Sequence, residues 1–250
     1  MKCNYLFLLS FLLLSSSGYS AAQTAASYPA RPIRVIVPYP PGGSTDIIAR
    51  APYRLVINPT VPANTMQEFI ALAKAKPASM NYGSAGAGSA VHLAAELLLR
   101  QTGVQMTHVP YKGSGPAIVD LVAGQIQMVL GGTLSTAPQT KAGRVRALAV
   151  TSLKRRADAP DLPTINETVA PGYEAAEWFT VFAPAGVPKP IVDKLHAELL
   201  KAANDTDVKD RLIASGMDFV GSTPGELADT VKRDYVKWSR LIKETGLKAD

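Results

Sequence analysis

Residues 80–99, MNYGSAGAGSAVHLAAELLL, predict the end of a strand, a glycine-rich turn and the start of a helix. The first backbone N–H groups of such a helix have no acceptor inside it, and the helix dipole favours an anion at that end. Gly83, Gly86 and Gly88 allow the backbone to approach a ligand closely. Ser89 is placed to cap the helix. We interpret the turn either as an anion site or as an ordinary flexible connection.

His92 falls in the first turns of this helix, close to the proposed anion site. It is interpreted either as a ligand contact or as a histidine that packs or caps. A hydroxyl at Ser84 adds a further hydrogen-bond donor. The candidate ligand-binding residues of this turn are Ser84, Ala85, Gly86, Ser89 and His92.

The composition indicates a folded globular protein, because 47% of the 250 residues are hydrophobic and 18% are charged. The formal net charge of +6 could suggest nucleic acid. However, the basic residues are scattered, and no basic run is interleaved with aromatic residues. We therefore expect no nucleic-acid partner and interpret the charge as a surface that mildly attracts anions.

The N-terminus indicates export. Lys2 is followed by an apolar run at residues 5–14 and then by small residues, which is the pattern of a signal peptide. We expect the signal at residues 1–22, with cleavage after Ala22 and a periplasmic mature protein. An uncleaved anchor is the alternative, although the run is too short to span a bilayer as a permanent helix. The only cysteine, Cys3, lies in the signal, so no disulfide is expected.

A second glycine turn follows the buried-strand pattern at residues 33–37, IRVIV. Asp46 has two readings: it complements the start of the next helix, or it accepts a hydrogen bond from a ligand amine, a ligand hydroxyl or a bound water. Ala51 precedes Pro52, which disfavours helix there, so the helix that starts after Asp46 is expected to be a stub. The candidate ligand-binding residues of this turn are Tyr39, Gly42, Gly43, Ser44 and Asp46.

Strands and helices alternate through the rest of the chain, which predicts an α/β fold with largely parallel sheets. The end of the chain carries an apolar stripe at Leu227, Val231, Tyr235, Trp238 and Ile242, with Trp238 interpreted as a core residue. Strands are predicted at 53–58, 106–110, 126–130, 145–151 and 178–183. Helices are predicted at 65–76, from 89 through the apolar run, at 116–123, at 190–203 and from 223 to 246.

Motifs that carry catalysis are absent from the sequence. No G-x-S-x-G elbow and no P-loop occur, and Val91 stands where a dinucleotide fingerprint needs its third glycine. The histidines at 92, 108 and 196 share no metal-ligand spacing. We therefore expect no catalytic residue, no metal and no cofactor.

The chain resembles the periplasmic solute-binding proteins of tripartite tricarboxylate transporters, the Bug or TctC family. The resemblance spans nearly all of the expected mature chain in family order. It rests on residues 28–38 (YPARPIRVIVP), 41–46 (PGGSTD), 81–89 (NYGSAGAGS) with His92 and Leu93, 108–113 (HVPYKG), 148–152 (LAVTS), 161–164 (DLPT) and 171–173 (PGY).

This resemblance implies a two-domain periplasmic-binding-protein-like fold of type II, with a hinge and a ligand cleft between the domains. Domain 1 would comprise residues 28–108 and 184–250, and domain 2 residues 109–183. Loops 41–46 and 83–89 would grip a ligand carboxylate. The implied ligand is a small organic acid, the implied partners are the membrane subunits of the transporter, and the implied state is a monomer.

The chain departs from the family pattern at one place. Family members carry a long stretch after the first helix, whereas here Arg50 runs directly into Ala51 and Pro52. We therefore expect a first domain truncated at 50/51, with an apolar face or strand edge that longer relatives cover. An exported α/β enzyme acting on a carboxylic acid and a sensor subunit that presents its ligand are the alternative functions.

Overall fold

A computed structural model describes residues 49–181 and 187–247. The expected signal peptide at 1–22, the strand at 33–37 and the turn at 41–46 lie outside these residues. So do the candidate site residues Tyr39, Gly42, Gly43, Ser44 and Asp46.

Eight strands and eight helices make up the described part of the chain. The strands are β1 (Ala49–Pro52), β2 (Arg54–Ile57), β3 (Asn81–Ser84), β4 (Thr107–Pro110), β5 (Met128–Gly131), β6 (Arg146–Val150), β7 (Ala176–Phe179) and β8 (Asp218–Phe219). The helices are α1 (Met66–Ala75), α2 (Ala90–Thr102), α3 (Ser114–Val122), α4 (Thr133–Lys141), α5 (Ile165–Thr168), α6 (Lys189–Ala203), α7 (Thr206–Ala214) and α8 (Pro224–Thr245). The predicted α/β class is confirmed.

The larger sheet has five strands in the order β4-β3-β5-β2-β6. Strand β3 runs parallel to β4 and β5, but β2 runs antiparallel to β5 and β6. The prediction of largely parallel sheets is therefore wrong. It rested on the alternation of strands and helices, which does not fix the direction of each strand. The apolar run of β2 reports burial on both faces, because Leu55 and Ile57 pack into one core cluster and Val56 into another.

The smaller sheet has three antiparallel strands in the order β7-β1-β8. Its central strand corrects the prediction of a helix stub, because Ala49 and Arg50 are extended and pair with Phe179 and Trp178. Pro52 explains the difference, because proline cannot donate the hydrogen bond that would continue a helix. At the last position of β1 this missing N–H is tolerated, since no further ladder hydrogen bond is needed there.

A buried arginine connects the two sheets. Arg156 pairs with Asp158 at 2.7 Å and with Asp218 of β8 at 2.5 Å, and Asp158 also pairs with Arg54 of β2 at 2.8 Å. Because each charge is compensated by an opposite one, burial of the Arg156 guanidinium is tolerated. The small sheet is thereby anchored to the larger one.

Several predicted helices are confirmed by their caps. Thr65 caps α1 and Ser89 caps α2, while Thr223 and Glu226 form the predicted capping box of α8. The sequence analysis does not predict helices α4, α5 and α7 or the short strand β8. Helix α4 has Pro138 in its interior and almost no apolar periodicity, so local sequence gave no sign of it.

The apolar stripe of α8 is only partly covered. Trp238 packs against the larger core cluster, as predicted. Tyr235, by contrast, is 73% exposed, and Val231 and Ile242 are also exposed. Part of the stripe therefore faces solvent within the described residues.

The expected domain boundary between residues 108 and 109 falls inside β4. The five-stranded sheet draws strands from both sides of that boundary, so its continuity does not favour a division there. The assignment of residues to two domains stays a prediction. In the described ranges, no helix is both long and apolar enough to cross a membrane.

Candidate functional site

The glycine turn joins β3 to α2 where the sequence predicts it. Gly86 and Gly88 have φ values of 133° and 73°, which residues with a Cβ rarely adopt. The Ser89 hydroxyl caps the helix by accepting from the His92 N–H at 3.4 Å. Two backbone bonds to the chain after β4 hold the turn: Tyr111 donates to the Ser84 carbonyl at 3.1 Å and Gly113 to the Ala85 carbonyl at 3.2 Å.

The start of α2 offers hydrogen-bond donors to a ligand. The N–H groups of Ala90 and Val91 are the first two of the helix, so neither has an acceptor inside it. Ala90 is exposed. An anion at this end is favoured both by these donors and by the helix dipole.

A cleft of about 320 Å³ opens beside this helix start. Its walls include Tyr53, Gly88, Ala90, Leu93, Trp178 and Trp238. Glu177 of β7 also lines it and is the one charged side chain among the described lining residues. The cleft thus combines backbone donors on one wall with aromatic surface and a carboxylate elsewhere.

The Ser84 side chain is turned into the loop. It is 1% exposed, and its hydroxyl accepts from the Gly86 N–H at 3.1 Å and lies 2.6 Å from His108 Nε2. In this arrangement the hydroxyl shapes the turn and does not line the cleft. A direct contact between Ser84 and a ligand stays a prediction.

His92 is buried directly beneath the turn. Its Nδ1 accepts from the Gly88 N–H at 3.0 Å, and its Nε2 lies 3.9 Å from the Glu96 carboxylate. Burial lowers the pKa of His92, so the neutral ring that this hydrogen bond requires is favoured. These contacts favour the packing or capping interpretation of His92, and contact with a ligand stays a prediction.

A stack of rings supports the turn from below. His108 lies between Tyr82 and His92, with its ring centroid 5.0 Å from the first and 3.7 Å from the second. The Tyr82 hydroxyl donates to the Glu96 carboxylate. His108 therefore has a structural role, because its ring fills the space between Tyr82 and His92 beneath Ser84.

Sequence reasoning missed the other wall of the cleft. Tyr53, Glu177 and Trp178 come from two strands far apart in sequence, and no motif joins them. Trp238 was assigned to the core alone, but it also lines the cleft. The β1–β7 pairing, which aligns Ala51 with Glu177, is what brings these residues together.

A second groove, of about 440 Å³, lies between the small sheet and α8. Arg50 lines it and pairs with Glu174 at 3.0 Å. Trp178 donates its indole N–H to Asp234 of α8 at 2.9 Å. In the described residues no group of three or more His, Cys, Asp or Glu side chains is placed to hold a metal ion.

Two sheets, covering helices and a helix start that opens into a cleft are features of a periplasmic solute-binding receptor. The chain belongs to the tripartite tricarboxylate transporter family receptors, TctC, whose sequence profile matches residues 15–247. The resemblance identified from the sequence is thereby confirmed, and so is the periplasmic-binding-protein-like α/β fold. Members of this family are periplasmic binding proteins.

Individual relatives agree with this placement. A UPF0065 protein in the tcbD-tcbE intergenic region of Pseudomonas sp. strain P51 is 32% identical over 313 positions, covering 95% of this chain and 93% of the relative. That alignment has more positions than this chain has residues, so part of the relative has no counterpart here.

Solved structures are similar as well. Rpa4515 of R. palustris with adipate has a TM-score of 0.72 and 33% identity, covering 86% of this chain and 73% of that one. MatC from Rhodopseudomonas palustris with bound malate has a TM-score of 0.65 and 30% identity, covering 78% of this chain and 67% of that one.

Proposed function

We propose that this protein is a periplasmic receptor that captures a small organic carboxylate and delivers it to the membrane subunits of a tripartite tricarboxylate-type transporter. Its family membership supports this role. The adipate and malate in two similar structures support a carboxylate as the ligand class.

The observation that carries the proposal is the start of α2 in the cleft. Ala90 is exposed there, and its N–H has no acceptor in the helix. A carboxylate at this point would accept charge-assisted hydrogen bonds, each contributing about 1.5–3 kcal/mol. The aromatic wall opposite would cover the carbon skeleton of the ligand.

The remaining candidate residues complete the proposed grip. Gly86 and Ser89 shape the turn from the α2 side. We assign the 41–46 loop, with Tyr39, to the other side of the same carboxylate, as the family resemblance implies. Solute binding without turnover is part of the proposal, so product formation at catalytic protein concentrations would contradict it.

The first domain is proposed to be shortened after Arg50. Two observations support this: β1 passes into β2 across Tyr53 alone, and the alignment with the Pseudomonas relative leaves part of that relative unmatched.

We further propose export through a signal peptide cleaved after Ala22, a hinge between two domains, and a monomeric receptor. Mass spectrometry of the protein from a periplasmic fraction would test the cleavage, and light scattering would test the monomer.

The function is tested with a substitution that removes a single donor. Ala90→Pro deletes the N–H at the first helical position, where proline is well tolerated. Ser89 already has the extended backbone, φ −64° and ψ 158°, that a residue before proline adopts. A thermal-shift screen over organic acids first finds a ligand, and calorimetry then compares its affinity in the wild type and the variant.

Two controls accompany this experiment. Thr206→Pro places proline at the same position of α7, outside the cleft, and Ala90→Gly keeps the N–H. We expect Ala90→Pro to weaken binding about tenfold, as the loss of one charge-assisted bond predicts, while both controls bind as the wild type does. Equal affinity in all four proteins would contradict a carboxylate at the α2 start.

A further inference from the structure

Glu177 lines the cleft, and the described residues provide no cationic partner for it. It is exposed in β7, opposite Ala51 of β1, and lines the cleft beside Trp178. Within the part of the chain that the structure describes, no lysine, arginine or histidine nitrogen lies at ion-pair distance from its carboxylate. Most of the surrounding wall is apolar or aromatic.

This environment is unfavourable for an isolated carboxylate. Although Glu177 is exposed as a residue, partial burial of its carboxyl group raises the pKa of that group. A charge that has lost part of its hydration is stabilised when a cation or a hydrogen-bond donor approaches it. Glu177 is therefore poised to bind such a group.

A second polar group of the cleft, the Tyr53 hydroxyl, also favours a ligand that bonds to it. Tyr53 is 4% exposed and lines the cleft, and its hydroxyl has no hydrogen-bond partner among the described residues. Burial, and next the charge of Glu177, raise the pKa of Tyr53. Both Tyr53 and Glu177 line the same cleft. A buried hydroxyl without a partner is costly, so a ligand group that bonds to it is favoured.

The aromatic walls suit a cation as well. Trp238 already has the Lys237 ammonium 4.5 Å from its ring centroid, and Trp178 lies next to Glu177 on β7. The faces of tryptophan rings attract cations through their quadrupole. The start of α2, which lines the same cleft, instead favours an anion.

We propose that the cleft selects a zwitterionic ligand, an amino carboxylate, over a dicarboxylate. The ligand carboxylate would face the N–H groups at the start of α2, and its ammonium group would face Glu177 and Tyr53. This inference rests on the proposed function and narrows its ligand class. It departs from the adipate and malate of the two similar structures, because Glu177 would repel a second carboxylate.

The test uses pairs of acids that differ in one terminal group. The pairs are adipate with 6-aminohexanoate, glutarate with 5-aminopentanoate, and succinate with 4-aminobutyrate. Calorimetry at pH 7.5 measures each dissociation constant for the full mature chain. We expect the amino acid of at least one pair to bind about tenfold more tightly than its dicarboxylate.

Glu177→Gln should abolish this preference, and Glu198→Gln is its matched control. Glu198 is exposed on α6 and outside the cleft, so the control makes the same charge change without touching the ligand. Thermal melts confirm that both variants fold. Equal or tighter binding of the dicarboxylates by the wild type, or an unchanged ranking in Glu177→Gln, would overturn the inference and leave a carboxylate receptor. Failure of every acid to bind would overturn the proposed function as well.

Discussion

The imidazole rings of His92 and His108 stack under the glycine turn, with 3.7 Å between their centroids and 10° between their planes. Each ring also reaches the turn: His92 Nδ1 accepts from the Gly88 N–H, and His108 Nε2 lies 2.6 Å from the Ser84 hydroxyl. Two protonated rings at this separation would repel each other. The stack therefore makes the shape of the turn depend on the neutral form of His92.

The first prediction concerns pH. Burial lowers the pKa of His92 in the folded chain, whereas in the unfolded chain this histidine titrates near its ordinary value of about 6.5. Below about pH 6.5 the unfolded state thus binds more protons, and the free energy of unfolding falls as the pH decreases. Urea denaturation between pH 7.5 and pH 5 should show this loss of stability.

The comparison variant for this prediction is His92→Gln, whose side-chain oxygen can still accept a hydrogen bond but does not titrate. Three glutamates, Glu167, Glu226 and Glu244, also have shifted pKa values, but these are lowered. Their effect on stability therefore appears mainly below pH 5, outside the range from pH 7.5 to pH 5 that is measured here. A wild type and a His92→Gln variant that lose the same stability between pH 7.5 and pH 5 would contradict the prediction.

Gly83→Ala is expected to destabilise the fold and displace the turn. A Cβ at Gly83 would lie 2.5 Å from Ile126 Cδ1 and within 3.3 Å of Tyr111 and Ala117, in the packed interior. Such overpacking costs about 1–3 kcal/mol. Chemical denaturation measures the loss, and Gly115→Ala in α3 is the control because its Cβ would meet open space.

Ile126→Val provides a further check on this mechanism, because it removes the Cδ1 that the new methyl group would meet. In the double variant the two substitutions should be less destabilising together than their separate effects predict. Strict additivity would show that the clash with Ile126 is not the cause.

Thr151→Val should loosen the aromatic wall of the cleft. The buried Thr151 hydroxyl lies 2.7 Å from the Tyr53 backbone N–H and donates to the Ala175 carbonyl at 2.6 Å, so it ties the start of β2 to the segment before β7. Valine has nearly the same shape but leaves these buried backbone groups unpaired, at a cost of about 1–3 kcal/mol.

Thr151→Ser keeps the hydroxyl and should retain most of the stability, which distinguishes the hydrogen bonds from the packing. Trp178 and Trp238 are the two tryptophans of the chain and both line the cleft, so tryptophan fluorescence adds a local readout to the denaturation curves. A serine variant as unstable as the valine variant would assign the effect to the lost methyl group instead.

Local chemistry explains which parts of this fold the sequence predicts. The turn before α2 and its Ser89 cap depend on residues within ten positions of one another, so glycine and serine spacing was enough. Strand β1 was mistaken for a helix because its partners β7 and β8 lie more than a hundred residues away. The sequence does not predict Glu177 as a site residue for the same reason, because only its pairing opposite the distant Ala51 brings it to the cleft.

The last prediction concerns the uncovered stripe of α8. Tyr235 is 73% exposed, and Val236 beside it is also exposed, so neither contributes much to folding, while both offer apolar surface for association. Tyr235→Lys with Val236→Lys should therefore leave the free energy of unfolding within about 0.5 kcal/mol of the wild type. The same variant should lower the light scattering of concentrated protein on warming.

The matched control is Leu241→Ala on the same helix, where a side chain that is 3% exposed packs inward. Its truncation should cost about 2–5 kcal/mol and increase scattering. A lysine variant that unfolds as easily as Leu241→Ala would mean that the stripe is covered in solution, and unchanged scattering with normal stability would mean that association uses another surface.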